Sequence, residues 1–249
     1  MGGIALAASL LGSIALNFVL YNVATQYYRQ LNATHLDPLG LNVSFPDREK
    51  SVKLPSNKPK VVFFGDSRAA AWQEPEGFDN SIFINRGIGS QTTTQVAQRY
   101  DEHIAPLKPD ILVVQVGVND LKTIPLFPNR KKRIIEDCKA NIDRILRDAR
   151  SQNTVVILST IFPVGELPIA RRLFWSSEVD RAIKEVNEFI VSLAAEDVRI
   201  FDTKSILANE NGIVQPEYSL DFLHLNDRGY EALNRELSLL LREIERGNG

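Results

Sequence analysis

The 249-residue chain predicts an α/β domain in which a parallel β-sheet is sandwiched between helices. Three observations lead there. Short apolar runs rich in Val and Ile alternate with longer stretches of helical spacing, the rhythm of strand–helix–strand units. The main candidate chemical residues fall just past the ends of those runs, where right-handed crossovers gather the loops of a parallel sheet. Composition is that of an ordinary globular protein, 44% hydrophobic and 24% charged, so a sizeable core can be buried.

The first element lies outside that domain. No charged side chain precedes Arg29, and residues 2–24 are mostly Ile, Leu, Ala, Val and Phe, diluted by Gly, Ser, Asn17, Asn22 and Tyr21. About twenty such residues in a helix span the hydrocarbon core of a bilayer, and Tyr21, Tyr27 and Tyr28 suit its interface. Residues 1–28 are therefore expected to anchor the chain in a membrane as a single transmembrane helix. The competing reading is a signal peptide, cleaved to leave a secreted protein; a missing basic n-region and the lack of a small-x-small cleavage site speak against it. Residues 29–59, with Pro38, Pro46, Pro55 and Pro59, read as a tether in which prolines break any regular element, and residues 60–249 as the domain. Arg29, Arg48, Lys50, Lys53, Lys58 and Lys60 favour a cytoplasmic domain by the positive-inside rule, but only Arg29 lies close to the apolar run, so the side of the membrane stays open.

Strand-like runs at 61–64, 82–84, 111–116, 155–158 and 198–201 give five strands buried on both faces. Helical spacing covers 92–100, 130–150, 177–195 and 227–244. In the last, Leu233, Leu237 and Leu240 or Leu241 recur opposite Glu and Arg. The run Arg130-Lys131-Lys132-Arg133 precedes Glu136 and Asp137 and reads as the solvated start of a helix. A net charge of −2 leaves no basic surplus for phosphates, so nucleic acid is not an expected partner. Cys138 is the lone cysteine, which rules out an intrachain disulfide or a thiolate metal cluster. Its place in a helical run marks it as a small buried apolar residue. Neither a metal nor a cofactor is expected.

Four loops carry the candidate chemistry. Phe63-Phe64 runs into Gly65-Asp66-Ser67 and then Arg68-Ala69-Ala70-Ala71, so Ser67 sits where a strand hands over to a helix whose N-terminus favours developing negative charge. Read alone, Asp66 or Ser67 would equally serve as a helix N-cap. The stretch Asn85-Arg86-Gly87-Ile88-Gly89-Ser90-Gln91-Thr92 can turn backbone N–H groups toward a ligand, or simply turn into the next helix. In Gly117-Val118-Asn119-Asp120, Asn119 offers a side-chain N–H₂ donor or a turn. In Asp221-Phe222-Leu223-His224, the three-residue spacing lets a carboxylate reach one imidazole nitrogen while the other faces a serine. His35 lies in the tether and His103 between helix and strand. Residues 162–175, with Pro163, Pro168, Phe174 and Trp175, form either a pocket wall or an aromatic patch sealing the core.

At these residues the chain resembles the SGNH hydrolases, also called the GDSL esterase/lipase family, from about Val61 to the final helix. Gly65-Asp66-Ser67 matches the first block. Asn85-Arg86-Gly87-Ile88-Gly89 resembles the second, as in relatives of platelet-activating-factor acetylhydrolase; Gly117-Val118-Asn119-Asp120 matches the third, and Asp221 with His224 the last. The resemblance implies a flavodoxin-like three-layer α/β/α sandwich, no metal, and hydrolysis of carboxylic esters through an acyl-enzyme. It makes Ser67 the nucleophile, His224 the base and Asp221 its orienting acid. Asn119 and the backbone N–H groups of Ser67 and Ser90, the latter directly after Gly89, become the oxyanion hole. The membrane helix suggests a lipid or lysophospholipid ester, with an acetylated sugar of a cell-envelope polymer as the alternative. The rival outside enzymes is a silent, membrane-tethered binding module. Two departures stand out. Ser90 occupies a position where the family usually has glycine, and Arg68 one where it commonly has leucine. Arg68, with Asp66, is a candidate neighbour of the substrate, pairing with a nearby acid or drawing an anionic group toward Ser67.

Overall fold

The computed structural model describes residues 2–42, 45, 57–172 and 174–247. They belong to two compact units, Met1–Asn42 and Val43–Gly249.

The first unit holds helix α1 (Gly2–Leu36), none of whose side chains is buried. It is long and apolar enough to cross a membrane. Asn17, Asn22, Asn32 and Thr34 turn back onto the carbonyls of Ser13, Phe18, Tyr28 and Gln30, so each finds a partner within its own helix. The helix continues through residues 29–36, part of the stretch expected to be irregular. Nothing in those residues breaks a helix, and the first proline, Pro38, follows its end. Pro46 and Pro55, with Arg48, Lys50 and Lys53, lie outside the described residues.

The second unit contains strands β1 (Lys60–Gly65), β2 (Ile82–Gly87), β3 (Ile111–Gln115), β4 (Val155–Ser159) and β5 (Val198–Phe201), all parallel in the order β2-β1-β3-β4-β5. Helices α2 (Ser67–Ala70), α3 (Thr93–Gln98), α4 (Tyr100–His103), α5 (Val118–Leu121), α6 (Lys131–Arg150), α7 (Ser177–Ser192), α8 (Thr203–Leu207) and α9 (Asp227–Gly247) connect and cover them.

Alternation along the strands divides the core. Val62, Phe64, Leu112, Val114, Val156 and Leu158 pack with Ile135, Ile142 and Ile145 of α6 and Val186 and Ile190 of α7. Val61, Phe63, Ile111, Val113 and Ile157 meet Leu233, Leu237, Leu241 and Ile244 of α9 on the other face. Each such buried side chain contributes roughly 1.5–3 kcal/mol, so both faces must be covered. The result is the expected three-layer sandwich. Cys138 is fully buried against it, and the outward face of α6 carries the pairs Lys132–Glu136 and Arg133–Asp137.

The helix expected over residues 92–100 is divided at Arg99. Its guanidinium is drawn inward, Nη2 donating to the Gly65 carbonyl at 2.9 Å and Nε to Gln91 Oε1 at 2.6 Å. A buried cation so held sets the backbone around it, overriding local helix preference.

Candidate active site

Strand β1 ends at Gly65, whose φ is +153° and where a Cβ would lie 1.8 Å from the Gln115 carbonyl oxygen. Only glycine permits that approach. Asp66 then caps α2, its Oδ1 accepting from the Arg68 N–H at 2.9 Å, so Ser67 opens the helix. Burial pushes the Asp66 carboxyl up to about 6 despite the opposing Arg68. Asn85 closes the other end of α2. Its Nδ2 donates to the carbonyls of Ala69 and Trp72, both at 2.9 Å, and its Oδ1 accepts from Gly87 N at 2.8 Å. At Gly87 a Cβ would stand 2.1 Å from the Ala70 nitrogen, so β2 and the serine-bearing turn are in backbone contact.

Ser67 Oγ lies 3.1 Å from His224 Nε2, and His224 Nδ1 lies 2.9 Å from Asp221 Oδ2. Asp221 Oδ1 also accepts the backbone N–H groups of Leu223 and His224, both at 2.7 Å, and these bonds curl the loop so that a three-residue spacing brings carboxylate and imidazole together. Burial alone raises the Asp221 pKa. The His224 ring and the two N–H groups outweigh it and hold the carboxyl below its usual range. An ionised Asp221 only accepts, so Nδ1 carries the imidazole proton and Nε2 is left to accept from the Ser67 hydroxyl.

The loop after β2 passes against the serine: a methyl group at Gly89 would lie 3.9 Å from Ser67 Cβ. Ser90 follows with a φ of +65°, the left-handed conformation that explains why glycine is usual there. Asn119, buried in α5, donates from Nδ2 to the Gln91 carbonyl at 3.0 Å, which ties α5 to this loop. Its Oδ1 accepts from Lys122 Nζ at 2.6 Å. Asp120 bonds the N–H and hydroxyl of Thr93 at 2.9 and 2.7 Å, anchoring the start of α3; burial pushes its carboxyl to about 6.

Arg68 and Asp66 do not border a solvent-filled site. Both are fully buried. Arg68 Nε donates to the Leu223 carbonyl at 2.9 Å and Nη1 to the Phe162 carbonyl at 3.1 Å, so the residue after the serine grips the loop that presents His224. Of the 162–175 segment, Phe162 and Trp175 seal the core, while Ile169 and Phe174 stand exposed. His103 is buried at the end of α4, outside the hydrogen-bonded run from Ser67 to Asp221, and His35 is exposed in α1. A groove of about 900 Å³ between α7 and residues 160–167 is lined by none of Ser67, Ser90, Asn119 and His224. Sequence reasoning missed Asn85, Arg99 and Lys122 as supports. Only Asn85, inside the second block, had a positional signal.

A family model described as GDSL-like Lipase/Acylhydrolase matches residues 63–232, a span that holds Ser67, Ser90, Asn119, Asp221 and His224. The chain is 27% identical over 195 residues to platelet-activating factor acetylhydrolase IB subunit alpha2 of Homo sapiens and of Bos taurus, covering 75% of this chain and 78% of theirs. A GDSL-like lipase from Bacteroides thetaiotaomicron is similar in structure with a TM-score of 0.60 at 22% identity, covering 74% of this chain and 88% of that one. A catalytic mutant of an acetylxylan esterase from Geobacillus stearothermophilus gives 0.52 at 21% identity, covering 78% and 96%. At these identities the two structures share its fold.

Proposed function

The chain belongs to the GDSL-like lipase/acylhydrolase family, and on that premise we propose that it hydrolyses carboxylic esters through an acyl-enzyme formed on Ser67. The observation that carries this reading is the hydrogen-bonded run from Ser67 Oγ through His224 to Asp221. His224 Nε2 takes the hydroxyl proton as Oγ attacks the ester carbonyl, whose π electrons move onto oxygen. Collapse of the tetrahedral adduct expels the alcohol, which takes the proton back from His224. Water, giving a proton to the same imidazole, then attacks the acyl carbon; collapse of that adduct releases the acid, and Ser67 Oγ leaves with the proton returned by His224. Asp221 keeps Nδ1 protonated and balances the imidazolium. The Asn119 N–H not bound to Gln91 and the N–H groups of Ser67 and Ser90 serve as oxyanion donors. Among the described residues neither backbone N–H has a protein acceptor.

For substrate, we infer an amphipathic ester held at a membrane, a lipid or lysophospholipid, with α1 as the anchor. Leu126, Phe127, Ile169, Phe174 and Leu220 are exposed on segments that follow β3 and β4 or lead into Asp221. Arg130, Arg171 and Arg172 stand among them, a mixture suited to lipid chains and anionic headgroups.

Ser67→Ala is expected to lose fluorophosphonate labelling and to lower p-nitrophenyl ester turnover roughly a millionfold. A wild-type protein that takes no label would instead be a silent binding module. In a screen of acyl chain lengths against acetylated sugars, preference for long acyl chains supports the lipid reading. Preference for acetylated sugars replaces it with a cell-envelope polysaccharide.

A further inference from the structure

Lys122 closes α5, and the hydrolytic scheme above gives it no part. Its side chain is half-buried. It turns inward to donate to Asn119 Oδ1 at 2.6 Å, beside charges on Asp66, Arg68, Asp120 and Arg171. Burial pulls its pKa below the usual lysine value, with Asp66 the strongest opposing influence.

An ammonium has three donors and no acceptor, so this contact orients the Asn119 amide: oxygen toward Lys122, nitrogen toward the Gln91 carbonyl. The amide nitrogen has two hydrogens and Gln91 takes one. A positive charge on the amide oxygen also draws electron density from the nitrogen, which makes the remaining N–H a stronger donor. Without Lys122 the amide keeps its bond to the Gln91 carbonyl but loses the cation that pins and polarises its oxygen.

We propose that Lys122 is a positioning residue of the oxyanion hole, fixing the Asn119 amide in its donating orientation and polarising it toward the tetrahedral intermediate. The proposal rests on the hydrolase reading above and deepens it. Lys122 touches no substrate. It acts through Asn119, and its effect belongs in turnover rather than in binding.

The test uses the full-length protein and p-nitrophenyl acetate, with rates normalised to the end-point of fluorophosphonate labelling at Ser67. Lys122→Met, which keeps the aliphatic stem, is expected to lower kcat about ten- to a hundredfold with KM within about twofold. Lys122→Gln keeps a donor without the charge, folds under the same constraints, and is expected to fall between. In an Asn119→Ala background the same Lys122→Met change is expected to cost less than about twofold, since the two residues act as one unit. Unchanged kcat in Lys122→Met and Lys122→Gln, or an equal loss with and without Asn119, overturns the proposal. A rise in KM at constant kcat overturns it as well, because it would place Lys122 on the substrate. These outcomes are separable from failure of the hydrolase reading, which shows as a wild-type protein that takes no label at Ser67.

Discussion

Ser90 holds a backbone φ of +65°, where a side chain with a Cβ meets the following carbonyl and glycine does not. The strain is local and can be relieved by one substitution. Ser90→Gly is expected to raise the free energy of unfolding by about 0.5–1 kcal/mol and Ser90→Val to lower it by about 1–2 kcal/mol, both read by urea denaturation. The proposed role of Ser90 uses only its backbone N–H, so strain rather than chemistry separates it from glycine. Arg68 is the opposite kind of departure. Where a leucine would fill the core, its guanidinium adds two hydrogen bonds to carbonyls on other segments, at Leu223 and Phe162. Carbonyl partners belong to every residue, so they leave no trace in sequence. That is why pairing with an acid looked as reasonable as contact with substrate. Lys122 was hidden for a similar reason: a lysine three residues after an asparagine reads as a solvated side chain until the loop turns it inward.

At the scale of elements, the contact that matters most is between β2 and α2, where Gly87 leaves no room for a Cβ beside the Ala70 nitrogen. Gly87→Ala must push α2, and Ser67 with it, away from the sheet. Displacing a reacting group by about 1 Å can cost on the order of a hundredfold in rate. Steady-state kinetics on a p-nitrophenyl ester should show that loss in kcat, with His224 and Asp221 untouched. An alanine variant with wild-type turnover would mean that the turn tolerates the shift. The inner strands were legible because a parallel sheet covered on both faces needs continuous apolar runs, and β1, β3 and β4 have them; the edge strands β2 and β5, expected to be buried on both faces, are only partly buried, and Arg199 interrupts the apolar run of β5. Three of the four candidate loops were legible because they directly follow β1, β2 and β3, whose ends gather on one side of such a sheet; the Asp221–His224 loop, which comes after α8 and just before α9, was legible from its residue spacing alone. Element ends were not. Arginine is a good helix former, so nothing in the residue types announces the break at Arg99; the Gly65 carbonyl imposes it from another strand. The overrun of α1 to Leu36 is the converse: polar residues were read as irregular, yet Asn32 and Thr34 bond within the helix.

For the whole molecule, the buried carboxyls make stability depend on pH. Asp66 and Asp120 both titrate near 6 in the folded protein because burial disfavours their charged forms, whereas an unfolded aspartate titrates near 4. The folded state therefore binds these protons more tightly. Their contribution is fully present below pH about 4 and is lost as pH rises through about 6, by up to roughly 3 kcal/mol for each group. Unfolding free energies at pH 4 and pH 7, followed by tryptophan fluorescence, are expected to fall less in Asp66→Asn than in the wild type. Equal falls would show that Asp66 holds its proton no more tightly in the folded protein than in the unfolded chain. The same architecture has a consequence in time. Ser67 and His224 meet across 157 residues of chain, and the imidazole is made well after the serine. Synthesis at about 5–20 residues per second puts roughly 10–30 s between them. In the chemistry proposed above, a growing chain carries a serine with nothing to activate it until the final loop and α9 have emerged and docked. The order of residues thus leaves Ser67 without its proposed base until the loop that carries His224 has been made and folded.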